Sequence, residues 1–270
     1  MQDKSIELFS LYDILVKTSY HTQITRPNDK NLENPVGFGS GFIVEFNNNN
    51  FFVTADHTLH LDDYDDENKE RLETEYVISI FNNYNPPDNF PSTIFTPLGS
   101  FHYMDEINLD EPEMLFKPVD VCVCKMQKRH FQYPFLTDEV SFPEDFVVKA
   151  GQQMYHIKME SFTDPNTTVN YFVFGKIRTK IVDGIRIDRR STIKPNLKFI
   201  SKAKDYFLFN TPNIITDGED WSGLSGCPVF NEEGYCVGVF CSINENTKMV
   251  FVLPISKVKI LINIADNDKV

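Results

Sequence analysis

Short β-prone runs separated by turn residues recur along most of the chain, and this pattern limits the possible folds more than any other feature. The runs are rich in Phe, Val, Ile and Tyr, and Asn, Pro, Gly and Asp stand between them. Many short strands with regular turn signals are typical of a β-sandwich or β-barrel. The sequence therefore predicts an all-β protein with strands over residues 41–46, 51–55, 76–81, 119–125, 146–150, 154–158, 171–174, 176–182, 206–210, 235–242 and 249–253.

Two segments near the ends of the chain show helical periodicity instead. From Ser5 to Lys17, apolar residues recur at steps of three and four, and Ser5 is a suitable N-cap. From Ile255 to Asn263, apolar residues again share one side. We expect residues 1–20 to form an N-terminal helical extension and residues 255–264 to form a C-terminal helix.

Polar segments between the predicted strands are interpreted as turns and loops. The tract Asn47 to Asn50 lies between two phenylalanines and predicts a hairpin tip, because asparagine tolerates the left-handed backbone of tight turns. The acidic, proline-bearing stretch over residues 58–118 predicts one strand that carries long surface loops.

The charge balance argues against two classes of partner. The chain has 26 Lys and Arg against 39 Asp and Glu, a net charge of -13. This charge repels nucleic acid backbones and anionic membrane surfaces. No apolar run approaches the roughly 20 residues of a membrane span, and the N-terminus does not have the pattern of a secretory signal. We expect a soluble protein that binds neither nucleic acid nor membrane.

The cysteines are odd in number and lie in apolar, strand-like segments, without the spacing of a metal site. Reduced thiols in the core are the simplest account of them, which favours a reducing compartment such as a bacterial-type cytoplasm. We expect no metal and no cofactor. The five residues are Cys122, Cys124, Cys227, Cys236 and Cys241.

A serine near the C-terminus is bracketed by glycines in the order Gly223, Leu224, Ser225, Gly226. Glycine permits positive φ and a close approach of substrate, so the amide groups of Gly223 and Ser225 can point at one oxygen. Such a pair of donors forms an oxyanion hole. A Gly/Ser turn between two strands explains the same residues without any catalytic role.

A serine hydroxyl becomes nucleophilic only when a base removes its proton. Among six histidines, His57 stands where an apolar strand ends, which would present its imidazole at a sheet edge. His60 is the nearest rival, although a loop position explains it. A cysteine nucleophile is disfavoured because Cys227 lies two residues beyond the exposed serine.

The base in turn needs a partly buried carboxylate that fixes its tautomer and stabilises the imidazolium. Asp120 fits best, because it opens an apolar strand that would anchor its backbone. Aspartates at strand ends are usually turn formers, so Asp105, Asp110 and Asp56 stay as competitors.

Four segments that contain or precede these three residues resemble the chymotrypsin-like, or trypsin-fold, serine peptidases. The order His, Asp, Ser agrees with that family and differs from those of subtilisins and α/β-hydrolases. The resemblance extends over roughly residues 36–254. The four segments are GSGFIV at residues 39–44, VTADH at residues 53–57, DVCV at residues 120–123 and GLSGCPV at residues 223–229.

The resemblance implies two six-stranded antiparallel barrels with the active site between them, within a peptidase domain over residues 21–270. The first barrel would cover about residues 21–130 and the second about 145–254. By the same resemblance Ser225 is the nucleophile, His57 the general base and Asp120 its orienting carboxylate in a serine endopeptidase that acts on protein or peptide substrates.

The substrate pocket follows from the same family geometry. Its base would lie near Glu219 or Asp220 and its wall near Ser242. A carboxylate there would favour Lys or Arg before the cleaved bond.

Three departures from the digestive members of the family point to the bacterial and viral branch. Leu224 replaces the aspartate that pairs with a newly cut N-terminus, so the chain should not depend on that zymogen switch. Cys227 replaces a glycine or serine, and Thr58 replaces a disulfide cysteine. Asp56 beside His57 is also unusual, and its charge could raise the pKa of the histidine.

Two other classes of function compete with an active peptidase. One is a catalytically silent binding module on a protease fold, and the other is an unrelated all-β structural protein. If the enzyme acts inside a cell, indiscriminate proteolysis would be harmful. We therefore expect narrow or regulated specificity, with the N-terminal helix as a candidate contact for a regulatory protein.

Overall fold

The computed structural model describes residues 11–64, 75–83, 93–107, 116–127, 135–142, 146–182 and 186–268. A helix over residues 11–18 (α1) precedes the strands, and a helix over Ile255–Asn267 (α2) follows them. The predicted start of the first helix at Ser5 lies outside the described residues. Within the described ranges, no helix is long and apolar enough to cross a bilayer.

The N-terminal half is built on one eight-stranded sheet. Its strands run in the order β5-β4-β1-β2-β3-β7-β6, and β10 pairs in parallel with β2. The short strands β8 and β9 pair with each other in the connection to the second half. The bounds are β1 (Tyr20–Thr25), β2 (Pro35–Phe46), β3 (Asn49–Thr54), β4 (Val77–Asn83), β5 (Thr93–Pro97), β6 (Phe101–Ile107), β7 (Phe116–Met126), β8 (Val140–Ser141), β9 (Val147–Val148) and β10 (Ile157–Lys158).

The C-terminal half is a closed six-stranded barrel, as predicted. Its strands are hydrogen-bonded in the cyclic order β11-β12-β13-β16-β15-β14, and neighbouring strands are antiparallel. The bounds are β11 (Tyr171–Val182), β12 (Arg186–Ala203), β13 (Tyr206–Asn210), β14 (Pro228–Asn231), β15 (Cys236–Ile243) and β16 (Met249–Pro254).

The first half differs from the predicted six-stranded barrel. The stretch over residues 58–118 was expected to hold one strand, yet β4, β5, β6 and the start of β7 lie in it. A connecting segment adds β10 to the same sheet. Pairing with neighbours supplies the backbone hydrogen bonds of these strands even where their side chains are polar and half-exposed.

The asparagine tract forms the predicted hairpin tip between β2 and β3. Phe46 pairs with Asn49, and the two residues between them, Asn47 and Asn48, have φ values of 49° and 61°. Positive φ at both central residues is the mark of a type I′ turn, whose twist matches that of the flanking strands. The prediction of a hairpin here is confirmed.

One apolar core extends through both halves and fixes their relative position. It joins buried residues of the first sheet, such as Phe42, with buried residues of the barrel, such as Phe174 and Phe230. Both helices belong to it, α1 through Leu15 and α2 through Val258. All five cysteines are buried, and none of them is in a disulfide bond. Because both halves share this core, the shape of the cleft between them is fixed by the fold.

Candidate active site

His57 lies at the end of β3, in a short 3-10 helix formed by Asp56–Thr58. The partner strand β7 is antiparallel to β3, with Thr54 opposite Cys122. His57 follows Thr54 in the chain and Asp120 precedes Cys122. Because the strands are antiparallel, both residues lie beyond the Thr54–Cys122 pair at the same end of the sheet. The sheet register therefore brings the two side chains to one edge.

The imidazole of His57 is bonded to the carboxylate of Asp120. Nδ1 lies 2.9 Å from Oδ1 and 3.0 Å from Oδ2, and the backbone N–H of His57 also donates to Oδ1 at 3.0 Å. An ionised carboxylate only accepts hydrogen bonds, so Nδ1 carries the proton and Nε2 keeps its lone pair. The Asp120 side chain is 6% exposed and that of His57 is 25% exposed. This arrangement leaves a base at the surface and a buried carboxylate behind it.

The two groups shift each other's pKa in opposite directions. Burial would lower the pKa of His57, but the charge of Asp120, the hydrogen bond to it and the charge of Asp56 outweigh burial and raise the pKa above 6.5. Burial would raise the pKa of Asp120, but the charge and hydrogen bonds of His57, with a bond to Cys241, lower it below its ordinary value. The two groups therefore stabilise the charged form of each other.

Ser225 lies in the turn that leads into β14. Gly223 and Gly226 stand on either side of it with φ values of 98° and 89°. The N–H of Gly226 donates to the Phe240 carbonyl at 2.9 Å, which fastens the turn to β15. The Ser225 hydroxyl donates to the Cys241 carbonyl at 3.2 Å. The serine is therefore held by the strand that forms one wall of the cleft.

The segment from Trp221 to Leu224 forms a β-turn, closed by the Leu224 N–H donating to the Trp221 carbonyl at 3.1 Å. Positive φ at its third residue, Gly223, is typical of a type II turn. A Cβ at Gly223 would lie 2.5 Å from the Lys176 carbonyl oxygen. Two features therefore require glycine at this position, namely the positive φ and the short distance to the Lys176 carbonyl oxygen.

The predicted oxyanion donors are the amides of Gly223 and Ser225. Within the described parts of the chain, neither N–H donates in any of the backbone–backbone hydrogen bonds. Leu224 between them is fully buried in the core of the second barrel, where it packs over Gly175. The turn is therefore anchored by an apolar side chain.

A cavity of about 640 Å³ opens between the two halves and brings the three predicted catalytic residues together. His57 and Asp120 come to it from the first half, and Ser225 comes from the second. Its remaining lining residues are Leu61, Tyr206, Gly218, Trp221, Ser222, Phe240, Cys241, Ser242, Ile243 and Glu245. A base, its carboxylate and a hydroxyl are the side chains that acyl transfer by a serine requires, and all three line this cavity.

The predicted pocket residues are not all at this cavity. Ser242 lines it, whereas Glu219 is exposed and Asp220 lines a different cavity, where Arg178 donates to it at 3.1 Å. Besides Asp120, the carboxylate that lines this cavity belongs to Glu245, which packs over Gly218. The predicted wall near Ser242 did not include Glu245, because loop lengths leave the register after β15 open.

The rival residues have other roles or other places. Buried His60 is bonded through Nδ1 to buried Asp56 at 3.0 Å, behind the site. Asp105 is exposed on β6. Asp110 lies outside the described residues. Of the competing carboxylates in the described ranges, Asp120 is the one bonded to His57.

Comparison with solved structures finds proteins of similar fold. The crystal structure of a serine endoprotease from Yersinia pestis superposes on it with a TM-score of 0.50 at 12% identity, over 97% of this chain and 67% of that chain. The chain has the chymotrypsin-like serine peptidase fold. The crystal structure of Deg5 also matches, with a TM-score of 0.48 at 13% identity, over 96% of this chain and 93% of that chain.

Neither a protein-family model nor a curated protein sequence matches the chain. The likeness of this chymotrypsin-like chain to solved structures therefore rests on its three-dimensional arrangement. At 12% identity that likeness shows the fold.

Proposed function

We propose that the protein is a serine endopeptidase that cleaves peptide bonds through an acyl-enzyme intermediate. The observation that carries the proposal is the His57–Asp120 hydrogen bond on a cavity that also contains Ser225. In this proposal Ser225 is the nucleophile, His57 the general base and acid, and Asp120 the orienting carboxylate.

Acylation begins when the Ser225 proton passes to Nε2 of His57. The hydroxyl now bonded to the Cys241 carbonyl turns towards the imidazole, and its oxygen attacks the carbonyl carbon of the scissile bond. The raised pKa of His57 reflects how Asp120 stabilises the imidazolium formed in this step. The imidazolium then gives its proton to the leaving amine, and the peptide bond breaks.

Deacylation repeats the sequence with water. His57 takes a proton from the water molecule, the resulting hydroxide attacks the ester carbon, and Ser225 recovers its proton as the acid product leaves. In both acylation and deacylation, negative charge develops on the former carbonyl oxygen. The N–H groups of Gly223 and Ser225 are the proposed donors to that oxygen.

The proposed substrates are proteins or peptides, within a reducing, cytoplasm-like compartment. Narrow or regulated specificity is part of the proposal. The described part of α1 contributes Leu11, Leu15 and Val16 to the protein's own core. A regulatory protein partner would therefore have to use another surface, or displace this helix.

Covalent labelling with a fluorophosphonate probe tests the proposal. We expect the wild-type protein to be labelled and the Ser225→Ala and His57→Ala variants to be unlabelled. Ser222→Ala is the matched control, because Ser222 is an exposed serine on the same turn and lines the same cavity. Labelling lost in the first two variants and kept in the control supports the proposal, and peptide-library cleavage then defines the preferred sequence.

A well-folded wild-type protein that reacts with no probe and cleaves no peptide would contradict the proposal. The catalytically silent binding module would then be favoured. Labelling that persists in Ser225→Ala would place the reactive group elsewhere and would also contradict the assignment of the nucleophile.

A further inference from the structure

Ser40 on β2 makes two contacts with the turn that carries the nucleophile. Its hydroxyl donates to the Gly223 carbonyl at 2.7 Å, and its backbone N–H donates to the Ser225 carbonyl at 2.9 Å. Ser40 is fully buried, and it comes from the other half of the molecule. A single residue of the first half thus forms two hydrogen bonds with the turn.

The first contact acts on the peptide group that joins the two proposed oxyanion donors. That group comprises the Gly223 carbonyl and the Leu224 N–H, and it lies between the Gly223 and Ser225 amides along the chain. Ser40 holds its oxygen, and the Trp221 carbonyl accepts from its N–H at 3.1 Å. A peptide group is planar, so pinning both ends fixes its orientation. The two flanking N–H groups belong to the neighbouring peptide planes, whose directions follow from this plane and from the φ and ψ angles of Gly223 and Leu224.

The position of Ser40 itself is fixed by its neighbours. The Thr54 hydroxyl donates to the Ser40 carbonyl at 2.7 Å, and a Cβ at Gly226 would overlap that carbonyl. A Cβ at Gly175 would come within 3.4 Å of the Ser40 hydroxyl oxygen. Strand, turn and barrel therefore hold this hydroxyl beside the Gly223 carbonyl, and it also forms a hydrogen bond with the Cys227 thiol.

We propose that Ser40 is a positioning residue, whose hydroxyl holds the Gly223–Leu224 peptide so that the Gly223 and Ser225 amides face the developing oxyanion. The inference rests on the proposed function and names a residue whose side chain need not touch the substrate. An oxyanion hole acts on charge that appears in the transition state, so misdirected donors slow turnover more than they weaken substrate binding.

Steady-state kinetics of Ser40→Ala test the inference. Loss of a whole oxyanion donor slows turnover by about 10²- to 10³-fold, and loss of an orienting bond should cost less, about 10- to 100-fold in kcat. KM should stay within about twofold, because ground-state contacts are retained. The labelling rate with the fluorophosphonate probe should fall in parallel with kcat.

Ser79→Ala is the matched control. Ser79 is another fully buried serine of the first sheet, and its hydroxyl has no hydrogen-bond partner among the described residues. We expect this control to keep wild-type kcat. Ser40→Cys is a second variant, which fills the same space with a weaker donor and decides the test if Ser40→Ala does not fold. Its kcat should lie between those of the wild type and Ser40→Ala.

The outcomes separate this inference from the proposed function. If the wild type turns over substrate, Ser225→Ala does not, and both Ser40 variants match the wild type in kcat, the positioning role is wrong and the peptidase stands. The same conclusion follows if the Ser40 variants raise KM at unchanged kcat. If the folded wild type neither labels nor turns over, the proposed function itself has failed.

Discussion

At the scale of single residues, two carboxylates control the charge of the His57 imidazole. Asp120 bonds it directly, and Asp56 adds its charge from the neighbouring position in the chain. Asp56 is fully buried, and its carboxylate is bonded to His60 at 3.0 Å. The unusual aspartate beside His57 is therefore held by His60, and its charge still helps to raise the pKa of His57.

The pH dependence of cleavage tests this effect. General-base catalysis needs a neutral imidazole, so kcat/KM for an uncharged substrate should fall as the pH drops through a value above 6.5. Asp56→Asn removes a negative charge that stabilises the imidazolium, so it should lower the pKa of His57 and move this acid limb to lower pH. The measurement is log kcat/KM against pH for both proteins.

Asp62→Asn is the control for the pH prediction, because the Asp62 carboxylate accepts from the Tyr76 hydroxyl and does not contribute to the pKa shift of His57. Its acid limb should coincide with that of the wild type. An Asp56→Asn limb that stays in place or moves to higher pH would count against the assigned role of Asp56.

At the scale of elements, the turn before β14 is the most constrained part of the site. Gly223 combines a φ of 98° with a backbone oxygen 2.5 Å from where its Cβ would lie. Left-handed backbone costs a residue with a Cβ about 1–2 kcal/mol, before the close contact is relieved. The turn therefore accepts no side chain at this position without moving.

Gly223→Ala should lower the free energy of unfolding by at least about 1 kcal/mol. It should also reduce kcat by about 10²-fold, because the shifted turn misplaces an oxyanion donor. Gly99→Ala is the control, since a Cβ there meets nothing within 4 Å. Urea unfolding and peptide turnover measure the two effects. Equal behaviour of the two variants would show that the turn is not constrained as described.

The loop between β15 and β16 brings the Glu245 carboxylate to the catalytic cavity, beside the apolar side chains of Trp221 and Ile243. The other carboxylate there, Asp120, is already bonded to His57. An apolar wall with a partly exposed acid suits the long stem and charged head of Lys or Arg. Substrate preference is therefore predicted to depend on Glu245.

Glu245→Gln should lower kcat/KM for substrates with Lys or Arg before the cleaved bond by about two- to fivefold, the range for an exposed ion pair. Cleavage of matched neutral substrates should be unchanged. Glu219→Gln removes an exposed acid that does not line the cavity, and it should alter neither rate. A loss that appears only in Glu219→Gln would restore the pocket base predicted from sequence.

At the scale of the whole molecule, the two halves are connected by several kinds of contact. They share an apolar core, β10 adds to the first sheet, and Ser40 reaches the serine turn. An ion pair between Asp138 and buried Lys176, 3.2 Å apart, ties the connecting segment to the second barrel. We expect the halves to unfold together.

Thiol reactivity measures that cooperativity, because buried cysteines are present in both halves. Burial raises the pKa of Cys227 to about 11 and that of Cys236 to about 12, so the native protein should react with no thiol reagent near neutral pH. All five thiols should become reactive at one urea midpoint. Separate midpoints for the first-half and second-half cysteines would show that the halves unfold independently.

Local chemistry made part of this protein predictable from its sequence. The Asn47–Asn48 turn was predictable because asparagine tolerates the positive φ that a tight hairpin needs. The terminal helices and the apolar strands follow from their periodicity. The residue types at the site were predictable because a hydroxyl nucleophile requires a base and a carboxylate, and His57, Asp120 and Ser225 stand at strand ends or in a glycine turn.

Strand pairing was decided by the tertiary structure. β12 runs over Arg186–Ala203 with many charged residues and Pro195 inside it, so its sequence does not have a strand pattern. It forms because β11 and β13 flank it and satisfy its backbone. Its partners are the strands directly before and after it in the chain, and periodicity within β12 alone does not reveal that they will pair with it.

The chemistry of the site depends on residues that are neighbours in the chain, whereas its detailed assembly depends on the folded structure. The sequence by itself determined the nucleophile turn and the candidate base, because those depend on neighbouring residues. Only the tertiary structure decided that Glu245 reaches the cavity while Asp220 bonds Arg178, and that Ser40 holds the Gly223 carbonyl. These contacts depend on loop register and on how two halves pack, which are properties of the folded chain.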